Sequence, residues 1–151
     1  MRPAKTDDLP KLLDLMADFY AESGNVLDRS HAAEAFAALL ADDRLGRVWL
    51  IEQGSSVVGH IVVTFVFAME YGGVTAVVDD FYVRPASRGA GLGTAALAEV
   101  RRACAELGVR AMRVEVGRDN AVAQSVYRHV GFEAVDHHFM ALPLADPTHV
   151  G

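Results

Sequence analysis

The residues whose types most suggest chemistry form the glycine-rich stretch "RGAGLG", from Arg88 to Gly93. It precedes an alanine-rich segment with helical periodicity, and a helix start presents unpaired N–H groups and the positive end of the helix dipole. Glycines let a bulky anion approach those groups, and Arg88 adds a positive charge. The loop therefore predicts a phosphate or pyrophosphate site. The alternative is a tight turn that needs glycine only for its backbone angles.

An acidic pair, Asp79 and Asp80, stands just before this loop in the otherwise apolar run "VVDDFYV". Carboxylates are costly to bury without a partner, so at least one should meet a cation or water. Neighbouring strand residues point to opposite faces, so without a bulge only one of the two can line a groove. The sequence leaves open which one does.

The composition sets limits on the kind of protein. The 151 residues are 52% hydrophobic and predict one domain, residues 1–151. One cysteine, Cys104, allows no internal disulfide, and with no signal peptide or membrane-spanning run this predicts a cytoplasmic protein. The net charge of −6 argues against nucleic acid or an anionic membrane as a partner. The histidines lack metal-ligand spacing, so no metal is predicted.

The elements that must position these residues follow from hydrophobic periodicity. Two helices, with Thr6 and Ser30 as predicted caps, precede three strands joined by tight turns and stopped by Pro85. After the glycine loop come a helix, a strand, a short helix capped by Asn120 and a last strand over 132–142. The strand–helix–strand unit predicts a mixed α/β fold, a mostly antiparallel sheet with a central parallel pair, flanked by helices.

Two known glycine motifs fit the loop poorly. A P-loop needs a lysine where Thr94 directly follows Gly93. The segment "GLGTAA" matches a dinucleotide-binding pattern, but such a domain starts near that motif and adds several further strand–helix units. Here an antiparallel meander comes before it, so the context excludes that interpretation.

A third motif agrees with the order of elements along the whole chain. "RGAGLG" resembles the Q/R-x-x-G-x-G/A signature of the Gcn5-related N-acetyltransferases, the GNAT superfamily, with Arg88, Gly91 and Gly93 at its defined positions. "VVDDFYVRPASRGAGLG" and "DNAVAQSVYRHVGF" are similar to two conserved blocks of that family, and the acidic pair resembles the diamine acetyltransferase branch. The family opens with a full strand, for which this chain has only residues 1–5.

The resemblance implies a GNAT fold and transfer of acetyl from acetyl-CoA to an amine, by direct attack in a ternary complex. It implies that main-chain groups of Phe81, Tyr82 and Val83 hold the pantetheine arm, and that Asn120 contacts the cosubstrate. The residues that would bind the CoA pyrophosphate are Arg88, Gly89, Ala90, Gly91, Leu92, Gly93 and Thr94.

For the acceptor side, the resemblance implies that Tyr127 is the general acid toward the CoA sulfur and that Asp79 or Asp80 is the base. Taken alone, Tyr127 is equally a core aromatic beside an apolar helix stripe. Glu22, at the end of the first helix, is expected to add negative charge at the acceptor site, although a solvated helix end is the alternative.

The expected acceptor is a small-molecule primary amine. Three alternatives stay open: a protein or peptide amine as acceptor, a longer acyl group as donor, and a regulatory module that binds acetyl-CoA without turnover. The resemblance also raises a homodimer formed through the segment 132–144, with a monomer as the other expectation.

Overall fold

The computed structural model describes residues 1–145, so the last six residues of the predicted domain, 146–151, lie outside it. None of the helices in the described part is long and apolar enough to cross a membrane. The helices and strands, in chain order, are β1 (Arg2–Pro3), α1 (Leu9–Glu22), α2 (Arg29–Ala41), β2 (Gly46–Gln53), β3 (Ser56–Ala68), β4 (Gly73–Val83), α3 (Leu92–Glu106), β5 (Met112–Val114) and α4 (Ala121–Val130).

The strands form one sheet in the order β1-β2-β3-β4-β5. The first three neighbouring pairs are antiparallel, and β4 and β5 are parallel because α3 carries the chain back across the sheet. The predicted mixed α/β fold is therefore confirmed. The opening strand is only two residues long, as the short N-terminal segment suggests, and pairs with Leu50 and Trp49 of β2.

Helices cover both faces of the sheet and bury a core on each. The core under α3 and α4 includes Ile61, Val63 and Cys104, and Cys104 is only 1% exposed, as expected for a small buried hydrophobe. Alternation along β3 places Val62 on the opposite face. The core under α1 and α2 consists of Leu12, Leu15, Phe36, Val48, Leu50, Val62 and Tyr82.

The predicted last strand over 132–142 is wrong. Phe132 packs against the core under α3 and α4, but residues 133–145 are exposed and form no strand. The adjacent His137 and His138, followed by Phe139 and Met140, break the two-residue alternation that would give a strand one apolar face. Among the described residues β5 is therefore an edge strand, and the parallel pair lies at the edge of the sheet.

Of the three predicted helix caps, those of the first two helices are wrong. Thr6 begins a short 3₁₀ turn, and α1 starts at Leu9 with Pro10 in its first turn, where proline costs no hydrogen bond. The second helix is capped by Asp28, whose carboxylate accepts from the His31 N–H at 3.0 Å, so it starts before Ser30.

Candidate active site

The site lies where the parallel strands part. Their pairing covers only Ala76–Val78 of β4 and Met112–Val114 of β5, yet β4 continues to Val83. Over 80–83, β4 pairs with β3 along one edge, and within residues 1–145 no strand pairs with its other edge. An open strand edge offers main-chain N–H and C=O groups to a ligand. Phe81, Tyr82 and Val83, the predicted main-chain partners, lie in this stretch.

The glycine loop follows the open edge and leads into α3. The first hydrogen bond of the helix runs from the Ala95 N–H to the Gly91 carbonyl, which makes Gly91 the N-cap. The N–H groups from Gly89 to Thr94 have no acceptor among residues 1–145. They form a run of donors at the positive end of a helix dipole, which suits an anion.

The three loop glycines are needed for different reasons. Gly89 and Gly91 have φ values of 82° and 77°, a left-handed conformation that favours glycine. A Cβ at either position would meet nothing within 4 Å, so the space beside them is open. A Cβ on Gly93 would instead lie 3.1 Å from Phe81 Cζ. Backbone angles thus explain two of the glycines and helix–strand packing the third, while the open space leaves room for an anion.

Arg88 points away from the loop in this structure. Its Nη2 lies 2.9 Å from each carboxylate oxygen of Glu22, and its Nε donates to the Val83 carbonyl at 2.7 Å. Its guanidinium also lies 5.4 Å from the centre of the Tyr82 ring. Two residues predicted for different halves of the site are therefore ion-pair partners. Glu22 joins the end of α1 to the end of β4.

The Tyr82 hydroxyl strengthens this connection by donating to Glu22 Oε1 at 3.1 Å. Burial, and then the hydrogen bond and negative charge of Glu22, raise the pKa of Tyr82 to about 12. Tyr82 thus remains a hydrogen-bond donor at neutral pH.

A β-bulge separates the two members of the acidic pair. Val62 of β3 pairs with Asp80 and Val63 with Val78, which leaves Asp79 as the extra residue. Asp80 lies on the face covered by α1 and α2, and its Oδ2 is 2.8 Å from His60 Nε2. Asp79 is exposed at the bulge, although local desolvation and the charge of Asp80 raise its pKa.

Tyr127 is packed in the core, and its pKa also depends on the charge of Asp80. It is 8% exposed, and its ring lies 6.1 Å from Phe81 and 5.5 Å from Phe132, centre to centre. Its hydroxyl has no hydrogen-bond partner among residues 1–145. Burial, and then the charge of Asp80, raise the pKa of Tyr127 to about 12. The two interpretations of this residue are compatible: a packed ring carries a phenol within electrostatic reach of Asp80.

Sequence reasoning missed Tyr20, and the position of His60 inside an apolar strand predicts only a packed residue. Tyr20 lies in the last turns of α1, and desolvation, the charge of Asp80 and the charge of Asp79 raise its pKa. Its signal was its position two residues before Glu22. His60 is fully buried, as expected, and the available signal was that a polar group inside an apolar strand needs a partner.

One further predicted residue, Asn120, lies at the start of α4. Asn120 caps α4, with its Oδ1 accepting from the Ala123 N–H at 3.1 Å, while its contact with a cosubstrate stays a prediction. Within residues 1–145, no group of three or more His, Cys, Asp or Glu side chains could hold a metal ion. A cavity of about 430 Å³ between α2, the start of β2 and the end of α3 shares no residue with this site.

The arrangement combines three chemical capacities. The loop can bind an anion, and the open edge of β4 can bind an extended ligand through main-chain hydrogen bonds. Asp80 and Tyr127, contributed by opposite faces of the sheet, can accept and donate a proton beside that ligand. Such a set suits transfer of a group carried by a long phosphorylated cosubstrate.

Comparison with known proteins points in the same direction. Residues 9–132 match the acetyltransferase (GNAT) family. No curated protein matches the chain significantly.

Solved structures of the same fold are numerous. An integron cassette protein from the mobile metagenome of Cole Harbour Salt Marsh is similar to this chain at 47% identity and a TM-score of 0.89, covering 98% of this chain and 92% of that one. A Clostridium acetobutylicum protein described as a predicted acetyltransferase, solved with acetyl-CoA, is 19% identical (TM-score 0.78, 95% and 94% covered). A ribosomal-protein-alanine N-acetyltransferase from Brucella melitensis is also 19% identical (TM-score 0.73, 94% and 97% covered).

The electrostatic coupling between Tyr127 and Asp80 can be measured by titration. We expect Asp80→Asn to lower the pKa of Tyr127, because it removes a negative charge that disfavours the phenolate. Asp79→Asn is the matched control and should leave that pKa unchanged. Carbon-13 shifts of labelled tyrosine rings, followed to high pH, report each ionisation. Equal shifts in the two variants would contradict the placement of Asp80.

Proposed function

The chain belongs to the acetyltransferase (GNAT) family, and we propose that it transfers acetyl from acetyl-CoA to a primary amine of a small molecule. The observation that carries this proposal is the open edge of β4 over 79–83, next to the unpartnered N–H groups of the glycine loop. Asp80 and Tyr127 lie on either side of that edge and supply the two proton-transfer groups that aminolysis of a thioester needs.

The donor site follows from the chemistry of acetyl-CoA. Its pyrophosphate suits the N–H groups from Gly89 to Thr94, and its pantetheine amides suit the open main-chain edge at residues 81–83. The Nε and Nη2 donors of Arg88 are engaged by the Val83 carbonyl and Glu22, so a contact of these donors with the pyrophosphate competes with both.

Besides the final release of a proton from Asp80 to solvent, the reaction needs three proton movements. Asp80 takes one proton from the acceptor ammonium, and the freed amine lone pair attacks the thioester carbonyl. The carbon–sulfur bond then breaks, and Tyr127 donates its proton to the departing thiolate. The new amide nitrogen loses a second proton, which restores the phenol directly or through water. Of the three ammonium protons, one stays on the amide, one reaches the thiol and one is released.

The acceptor is proposed to be cationic and small. Asp80 and Asp79 place negative charge at the open edge, and the chain as a whole carries a net charge of −6, which favours an ammonium substrate. The likeness of the acidic pair to the diamine acetyltransferase branch supports a small amine over a peptide. Direct attack in a ternary complex is part of the same proposal.

Two further points of the proposal concern the cellular compartment and the oligomeric state. We propose that the protein works in the cytoplasm, where a lone buried thiol such as Cys104 is kept reduced. A homodimer through the segment 132–144 stays a prediction. The exposed Phe139, Met140, Leu142 and Leu144 of that segment support it, although the segment forms no strand.

The deciding experiment measures thiol release from acetyl-CoA with polyamines, other small amines and peptides as acceptors. Release with small amines supports the proposal. Release only with peptides would assign a peptide acceptor, and release only with longer acyl-CoA would change the donor. Calorimetric binding of acetyl-CoA without release from any acceptor would indicate the non-catalytic module.

The pyrophosphate assignment is tested at Gly91. Asparagine tolerates a left-handed backbone better than other side chains do, and its side chain in Gly91→Asn would occupy the open space beside the loop. We expect acetyl-CoA affinity to fall at least about tenfold, or about 1.4 kcal/mol, by calorimetry. Gly108→Asn is the control, since Gly108 has φ 76° and equally open space at the far end of α3. Unchanged affinity in a folded Gly91→Asn protein would refute the assignment.

The competition for Arg88 is tested at Glu22. Glu22→Gln releases the guanidinium, so acetyl-CoA should bind about twofold to fivefold more tightly, the range an exposed ion pair allows. Asp18→Asn is the matched control, because Asp18 forms an exposed pair with Arg84 on the same side of the molecule. An equal gain in both variants would mean that net charge, and not Arg88, sets the affinity.

The proton-transfer roles are tested by two substitutions, each of which removes one proton-transfer group with little change in side-chain volume. Tyr127→Phe and Asp80→Asn should each lower kcat by about 10²-fold or more, with acetyl-CoA affinity nearly unchanged. Phe132→Leu, which alters packing beside Tyr127 and keeps the phenol, should lower kcat far less. Steady-state and single-turnover kinetics give these values. An unchanged kcat in Tyr127→Phe, with chemistry rate-limiting, would return Tyr127 to a core role alone.

A further inference from the structure

We infer that His60 is a positioning residue that orients the Asp80 carboxyl group and leaves its Oδ1 oxygen to take the proton of the acceptor amine. The inference deepens the proposed acetyl transfer, on which it rests. It starts from a buried imidazole that the fold alone does not require, bonded to the carboxylate nearest the open edge of β4.

The fold encloses His60 on every side. Its ring is 0% exposed on β3, opposite Tyr82 in the strand register, and lies between the Phe36 ring at 6.4 Å and the Tyr82 ring at 6.3 Å. Its Nε2 is 2.8 Å from Asp80 Oδ2, and the Asp80 side chain is 11% exposed. One oxygen of the carboxyl group therefore bonds to the buried ring, while the side chain keeps some contact with solvent.

The second ring nitrogen decides the protonation state. Nδ1 of His60 is buried and has no hydrogen-bond partner among residues 1–145. An imidazolium would leave an N–H at Nδ1 buried without an acceptor, and so would a neutral ring protonated on Nδ1; both states are costly. A neutral ring with its proton on Nε2 leaves only an unshared lone pair there. His60 therefore donates from Nε2 to Asp80 Oδ2.

In the usual histidine–aspartate pair the histidine is the base and the aspartate orients it. Here the histidine orients the aspartate, and the aspartate is the base. The ring cannot become the base, because taking a second proton would create the unpaired buried N–H. Oδ2 is occupied by the ring, so the ammonium proton moves to Oδ1 of Asp80 and from there to solvent. The other titratable groups around Asp80 are Asp79 on the same strand, Tyr20 from α1 and Tyr127 from α4.

The protonation state can be measured without any turnover. In nitrogen-15 spectra of the wild-type protein, His60 should show a protonated Nε2 and an unprotonated Nδ1. A doubly protonated ring, or a proton on Nδ1, would overturn the inference. Because this measurement needs neither acetyl-CoA nor an acceptor, it gives a result even if the proposed acetyl transfer fails.

The positioning role is tested by kinetics on variants with and without a donor. His60→Leu removes the donor and should lower kcat about tenfold or more, with the calorimetric acetyl-CoA Kd unchanged. His60→Gln keeps an N–H donor and should stay within about threefold of wild type. Phe36→Leu, which disturbs the same packing without touching the hydrogen bond, controls for stability. Equal losses in His60→Leu and His60→Gln, or in His60→Leu and Phe36→Leu, would reduce His60 to a packing residue.

Discussion

The parting of β4 from β5 after Val78 is the constraint on which the rest of the site depends. Parallel strands joined by one crossover helix pair here for only three residues, and β4 then runs on to Val83 with no neighbouring strand on that side among residues 1–145. Unpaired main-chain groups are stable only where water or a ligand meets them. Because no strand covers this edge within residues 1–145, a ligand bound there lies beside both faces of the sheet.

The bulge at Asp79 distributes the chemistry between the two faces. Without it, Val78 and Asp80 would lie on the same side of β4, and the carboxylate would enter the core that holds Tyr127. The extra residue turns Asp80 toward the face with His60, where a hydrogen bond compensates for its partial burial. Asp80 and Tyr127, the proposed proton acceptor and donor, thus lie on opposite faces of the sheet, and the charge of Asp80 raises the pKa of Tyr127.

Ion pairing at the end of α1 links the two halves of the proposed reaction. Glu22 holds Arg88 across the end of β4, so the cation nearest the glycine loop is engaged by an acidic residue of the acceptor side. In the proposed reaction, the binding of acetyl-CoA and the binding of the acceptor then both depend on the charge of Arg88. Such sharing is inexpensive, because the pair is exposed and its net contribution to stability is small.

Much of this protein follows from its sequence alone. Hydrophobic periodicity and turn residues predict the order of helices and strands, the mixed sheet and the glycine loop at a helix start, because these depend on local geometry. The sequence blocks that resemble the family predict Arg88, the acidic pair and Tyr127 as site residues. Only the tertiary structure shows the bulge that orients Asp80, the His60 partner twenty residues away and the Arg88–Glu22 pair. These depend on strand register and on contacts between distant segments, which no local pattern encodes, and for the same reason the segment 132–142 looked like a strand and is not one.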